Sequence, residues 1–77
     1  MKSTTMMYVD KILDIYTNND SSRQAHIFEK YDAHKQKHYG CRYFKNQIFV
    51  FDEFYPTKSL NYAESAASNW VDGIKTE

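Results

Sequence analysis

The clearest periodic pattern of apolar and polar positions lies near the C-terminus, in the stretch YAESAASNWVDGI at residues 62–74. Its apolar residues recur every three or four positions, which is the spacing of one face of an α-helix: Ala63, Ala66, Ala67, Trp70, Val71 and Ile74. The alanines would let the helix axis approach a sheet closely, and Trp70 supplies bulk. The pattern predicts a helix over residues 59–73, with Ala63, Ala67, Trp70 and Ile74 buried.

Residues on both sides of this helix carry start and stop signals. Ser59 or Asn61 can cap the first turn, and Asn61 followed by Glu64 has the spacing of a capping box. Pro56 marks the break before the helix. Gly73 can end it in the left-handed conformation.

The preceding segment, GCRYFKNQIFVFDEFYP at residues 40–56, is rich in aromatic and β-branched residues, which favour strands. The tripeptide KNQ between two apolar runs is typical of a tight hairpin connection. We therefore predict strands at about 38–44 and 47–55. Strict alternation in the second strand predicts one side with Ile48, Val50 and Phe54, and another with Phe49, Phe51 and Tyr55. Both sides are apolar.

The first half of the chain fits two architectures. Apolar residues between Val9 and Tyr16 match a helical period, and a second helix could follow between Ser21 and Gly40. Alternatively, DKILDIYT at 10–17 and AHIFEKYD at 25–32 are strands joined by the turn NNDSS, because clusters of Asn, Asp and Ser favour turns. Periodicity alone leaves both open.

Three stretches together resemble a pattern in small accessory proteins of large tailed bacteriophages. They are HYG at 38–40, the acidic–aromatic ending EFY at 53–55, and S..YAE.AA.NW..GI from Ser59 to Ile74. The resemblance covers residues 31–74, about the last 45 of the chain. It implies a sheet followed by a packed helix, a role early in infection, and action on a host target. It carries over no catalytic residue.

The resemblance selects the strand alternative. We therefore expect one α+β domain over residues 1–77, in the order β-β-β-β-α. An antiparallel meander of three to four strands would carry the C-terminal helix on one face, with residues 1–7 as a loose N-terminal segment. A chain of 77 residues allows no second domain.

Composition points to a cytoplasmic protein. No apolar run approaches the ~20 residues of a membrane span, and the N-terminal stretch lacks the features of a signal peptide. Cys41 is the single cysteine, which excludes an intramolecular disulfide and favours a reducing compartment, the host cytoplasm. We therefore expect no membrane partner.

Residues that could perform chemistry are few. Asp32, His34, His38 and Cys41 are spaced as possible metal ligands, but small zinc modules generally use at least two cysteines. Cys41 with a histidine and a carboxylate is formally a nucleophile, although nothing in the sequence aligns them. We predict no metal, no cofactor and no enzymatic activity.

Nucleic-acid binding is the alternative function. Residues 30–45 hold five of the ten basic residues and a single acid. Basic side chains there could contact phosphates of RNA or single-stranded DNA while neighbouring aromatics stack on bases. The zero net charge and the lack of a known motif weigh against it. The basic candidates are Lys35, Lys37, Arg42 and Lys45, interleaved with Tyr39, Tyr43 and Phe44.

Protein binding is the preferred function. One helix cannot cover both apolar sides of the strand at 47–55, so the uncovered aromatics would bind a host protein or a second copy of the chain. In the alternative interpretation, the N-terminal segment folds over that face. We expect steric inhibition of a host enzyme or defence factor, with a homodimer as competitor. The predicted contact residues are Tyr39, Arg42, Tyr43, Phe49, Phe51, Asp52, Glu53 and Tyr55.

Overall fold

Five strands form one antiparallel sheet that is followed by a single helix. The computed structural model describes residues 2–3 and 5–76, with side chains from residue 5 onwards. The elements are β1 (Lys2–Ser3), β2 (Lys11–Thr17), β3 (Arg23–Tyr31), β4 (Lys37–Lys45), β5 (Ile48–Tyr55) and α1 (Leu60–Val71). The strand order is β1-β5-β4-β3-β2. The expected α+β meander with a C-terminal helix is confirmed, and the helical alternative for the first half is wrong.

Polar turn residues explain why the first half forms strands. In the β2–β3 turn, Asn18 Oδ1 accepts the Arg23 N–H at 3.0 Å and Asp20 Oδ1 accepts the Ser22 N–H at 3.0 Å. The β4–β5 connection consists of Asn46 and Gln47, both with positive φ, of 52° and 68°. Two such residues are typical of the tight turn that matches strand twist.

Two β-bulges interrupt strict alternation. Phe44 pairs with Phe49 and Tyr43 with Phe51, so Val50 is an extra residue in β5. Phe49 and Phe51 therefore point to opposite faces, and the expectation that they share one is wrong. A similar shift in β2 makes Leu13 an extra residue. Such bulges locally reorient side chains, and both extra residues pack against the core.

The helix begins at the first of its two predicted caps. Ser59 is the N-cap, and its Oγ accepts the Tyr62 N–H at 3.4 Å. At the other end Gly73 has a φ of 79°, as expected for a left-handed stop. The N–H groups of Ile74 and Lys75 both lie 2.9 Å from the Asn69 carbonyl, which satisfies the last turn.

The core lies between α1 and strands β2, β3, β4 and β5. Ala63, Ala67 and Trp70 are fully buried, as predicted, but Ile74 is 74% exposed. That expectation is wrong because the helix ends at Val71 and the left-handed Gly73 turns the chain away. Trp70 packs 5.0 Å from the Tyr43 ring, centre to centre, and its Nε1 donates to the Phe44 carbonyl at 3.0 Å.

The folded chain buries as much surface as a typical monomer. Its accessible area is 4923 Å² at 9.2 kDa, and monomeric proteins of that mass expose about 4,900 Å². A second copy is therefore not needed to complete the core.

Trp70→Ala is expected to lower the free energy of unfolding by ~3–5 kcal/mol, because it leaves a large cavity in the core. Ile74→Ala, which removes an exposed apolar side chain beyond the end of α1, is the control and should change stability by less than ~0.5 kcal/mol. Thermal and urea unfolding followed by circular dichroism measure both. Equal losses would contradict the packing described above.

Candidate protein-binding surface

The sheet has a helix face, which α1 covers, and a second face on the opposite side. Cys41 and Tyr43 contact the helix side of the core, so the intervening and flanking residues of β4 point the other way. The strand register extends this assignment across the sheet. The second face carries Ile12, Ile15, His26, Phe28, Arg42, Phe44, Phe49, Asp52 and Phe54.

An N-terminal strap, residues 5–10, crosses the second face diagonally. It connects β1, paired with β5 at one edge, to β2, paired with β3 at the other. Met7 is bonded to side chains of β4 and β5, while the Tyr8 carbonyl accepts Lys30 Nζ at 2.7 Å. Asp10 Oδ2 accepts the Tyr31 N–H at 2.7 Å. The N-terminal segment thus folds over the second face, the option that the sequence left open. Of residues 1–7, expected to be loose, Met1 and Thr4 lie outside the described residues.

A buried ion pair lies beneath the strap. Arg42 Nε is 2.8 Å from Asp52 Oδ1, and Nη2 is 3.2 Å from Oδ2. Asp52 Oδ2 also accepts the Met7 N–H at 2.8 Å, while Arg42 Nη2 donates to the Met7 carbonyl. Bidentate geometry and these extra hydrogen bonds offset the desolvation of two buried charges.

Gly40 explains how Phe28 fits under the strap. A Cβ at Gly40 would lie 2.5 Å from the Phe28 ring and 2.5 Å from the Glu53 carbonyl oxygen. Only glycine leaves room there, and the Phe28 side chain is fully buried. The Phe28 ring thus fills the middle of the second face, and the strap covers it.

An exposed strip remains beside the strap, at the end of the sheet that carries the β2–β3 and β4–β5 turns. It consists of Ile15, which is exposed, and of His26, Phe44 and Phe49, which are half-buried. Ile15 is 51% exposed and pairs with His26. The His26 ring lies 4.5 Å from Phe44, and Phe44 lies 6.2 Å from Phe49. Burial, assisted by the nearby Arg42 charge, lowers the pKa of His26, so its side chain is neutral at pH 7.

The eight predicted contact residues do not form one surface. Tyr43, Phe51 and Tyr55 belong to the core on the helix face, and Tyr39 and Glu53 lie on that face beside them. Arg42 and Asp52 are buried under the strap. Phe49 alone lies on the exposed strip, because the bulge at Val50 separates it from Phe51.

The tyrosines form a polar chain under an open groove between α1 and β5. The Tyr43 and Tyr55 hydroxyls are 2.5 Å apart, and Tyr55 donates to Glu53 Oε1 at 2.7 Å. Lys75 Nζ is 2.8 Å from the same oxygen. Burial raises the pKa of both tyrosines. The groove has a volume of about 500 Å³, and Tyr62 lies on its wall.

The basic residues of the nucleic-acid alternative are dispersed. Lys37 is the first residue of β4 and Lys45 is the last. Their Cα atoms are therefore roughly 26 Å apart, at ~3.3 Å per residue. Lys37 pairs with Glu29 at 3.7 Å, and Arg42 is bound to Asp52. Lys35 lies in the β3–β4 turn with a φ of 61°. These four residues do not share one basic surface.

The candidate metal ligands are also separated. Cys41 is buried on the helix face, where its Sγ lies 3.2 Å from the Ala63 carbonyl oxygen. His38 bonds to Asp32 Oδ2 at 2.8 Å, and hydrogen bonds from His38 and Gln36 lower the pKa of Asp32 to about 2. Over residues 5–76, no cluster of three such side chains is arranged to hold a metal ion.

Comparisons with protein-family models, curated proteins and solved structures find no match to this chain. Among the helices of the described residues, none has the length and apolar character to cross a membrane.

Asp52→Ala is expected to cost ~3–5 kcal/mol of stability, since it leaves the Arg42 charge buried without its partner. The double variant Arg42→Met with Asp52→Leu removes both charges and should recover part of that loss, since the Met7 backbone groups still lack their partners. Urea unfolding of Arg42→Met, Asp52→Leu and the double variant completes a double-mutant cycle that measures the coupling. Additive losses would show that the two side chains do not act as a pair.

Stability should fall in alkaline solution. Burial raises the pKa of the Cys41 thiol from 9.0 to about 12, so the folded state favours the neutral thiol. Its contribution is complete below pH 9 and is lost as pH rises towards 12, by at most ~1.4 kcal/mol per pH unit. Melting temperatures between pH 8 and 11 test this. Cys41→Ala should decline less steeply than the wild type, and identical slopes would contradict the assignment.

Proposed function

We propose that this chain is a protein-binding protein that contacts its target through the exposed strip. The supporting observation is that Ile15, His26, Phe44 and Phe49 come from four neighbouring strands and run continuously across the sheet. Accessible apolar side chains grouped on a small, well-packed domain are typical of interaction sites. Aromatic residues in such a group supply much of the binding energy.

The electrostatics of the strip favour an apolar contact. His26 is neutral at pH 7 because its pKa is lowered, and the other three strip residues are uncharged. Arg42, whose charge acts on His26, is paired with Asp52 beneath the strap. Binding at the strip should therefore depend weakly on salt, unlike binding to nucleic-acid phosphates.

The proposed target is a host enzyme or defence factor in the host cytoplasm, and the proposed effect is steric inhibition. This part of the proposal rests on the resemblance of residues 31–74 to small accessory proteins of tailed bacteriophages. Steric inhibition requires only a stable contact that covers a functional surface of the target, and we propose that the strip makes this contact. The accessible area of one chain, which matches that of a typical monomer, supports a hetero-complex over an obligate dimer.

Ile15→Asp tests the proposal because it places a charge on the most exposed residue of the strip without disturbing the core. Ile74→Asp, equally apolar and more exposed but on the helix side, is the matched control. The target is first captured from a bacterial lysate, and its affinity is then measured with purified components. It should bind Ile15→Asp at least ten-fold more weakly than the wild type. Ile74→Asp should bind normally, and both variants should remain folded by circular dichroism.

Other outcomes identify the competing functions. A change from dimer to monomer in Ile15→Asp, measured by light scattering, would assign the strip to self-association. Retardation of RNA or single-stranded DNA, lost steeply as salt rises, would support the nucleic-acid alternative. If the purified target binds without losing activity, the steric-inhibition part of the proposal is wrong.

A further inference from the structure

We propose that the strap occupies a binding site for an extended peptide segment, and that a partner protein presenting such a segment takes its place. The Arg42–Asp52 pair is the centre of this site. Asp52 accepts the Met7 N–H and Arg42 donates to the Met7 carbonyl. One residue of an extended chain is thereby held by both of its backbone groups. Neither contact uses the Met7 side chain, so the pair accepts any residue that has an N–H.

The strap also shows which segments fit. Lys30 Nζ donates to the carbonyl of the next residue, Tyr8, at 2.7 Å. Met7 and Val9 are half-buried against the sheet, while Met6 and Tyr8 are 51% and 73% exposed. The site therefore accepts an extended segment with apolar residues at two alternate positions. Proline is excluded at the first of them because it lacks the N–H that Asp52 binds.

The attachment of the strap suits exchange with a partner. Residues 6–9 form no strand pairing of their own, and β1 before them is two residues long. Because the strap is tethered to the sheet, it competes for the site at an effective concentration of about millimolar. The apparent affinity for a partner segment is therefore the intrinsic affinity multiplied by the fraction of molecules in which the strap has left the site. The exposed strip adjoins the site through His26 and Arg42, which are neighbours of Ile15 and Asp52 in one row of the sheet. A partner on the strip could place its own segment there, so the identity of the occupant rests on the proposed function.

The peptide MKSTTMMYV, which is the sequence of residues 1–9, serves as the probe with a fluorescent label. Binding to the full chain is measured by anisotropy. The Met7→Pro protein loses the strap's N–H donor but keeps the receptor groups, so it should bind the peptide at least ten-fold more tightly than the wild type. The peptide that itself carries Met7→Pro should not bind.

Two further variants make the result decisive. Asp10→Ala loosens the strap at its other anchor, lies outside the peptide, and should also raise affinity if Met7→Pro fails to fold. Met6→Pro is the matched control, because the Met6 N–H makes no hydrogen bond within the described residues. It should leave affinity near the wild-type value. Ile15→Asp should still bind the peptide, which separates this site from the exposed strip.

Folded Met7→Pro and Asp10→Ala proteins that bind the peptide no better than the wild type would overturn the proposal. Wild-type dimers that the peptide dissociates would also overturn it, since the occupant would then be the N-terminal segment of a second copy.

Discussion

The Arg42–Asp52 ion pair lies in the middle of the sheet face that the helix does not reach, and the N-terminal third of the fold depends on it. Two desolvated charges are tolerable only when their attraction is strong and their remaining hydrogen-bonding capacity is used. The two side chains bond to one another, and each of them also bonds to the Met7 backbone. Sheet and strap therefore stabilise each other: without the strap the pair is incompletely bonded, and without the pair the strap has no central anchor.

The apolar side chains on the two faces of the sheet are covered by different elements. On the helix face, Trp70 and two alanines of α1 close a dry aromatic core. On the second face no helix occurs within the described residues, and a single extended segment is too narrow to cover four strands. Phe28 is enclosed beneath it, but Ile15 and Phe44 remain accessible to different degrees. The exposed strip is thus the part of the second face that the strap leaves uncovered.

Local signals in the sequence predicted most of the fold, and long-range register decided the rest. Helical spacing and turn residues identify the elements because they act within a few positions. The bulge at Val50 depends on how β4 and β5 align, so the sequence could not separate Phe49 from Phe51. Ile74 fits the helical period but lies beyond the stop. His26 was overlooked as a surface residue, although alternation in the stretch AHIF would have placed it with Phe28, opposite Ile27.

Polar groups are unevenly distributed on the second face: the exposed strip has few, and the Arg42–Asp52 pair is charged. The exposed strip offers apolar contact area and little directional bonding, so in the proposed complex it would supply binding energy without strong selectivity. The Arg42–Asp52 pair offers directional bonds to a peptide backbone, but those bonds already have an intramolecular partner. A ligand that used both would gain affinity from the strip and orientation from the ion pair, and linked contacts of this kind reinforce one another through effective concentration. Outward-pointing Met6 and Tyr8 extend the apolar surface onto the strap itself. The second face is therefore one continuous surface whose central part is covered by the chain's own N-terminal segment.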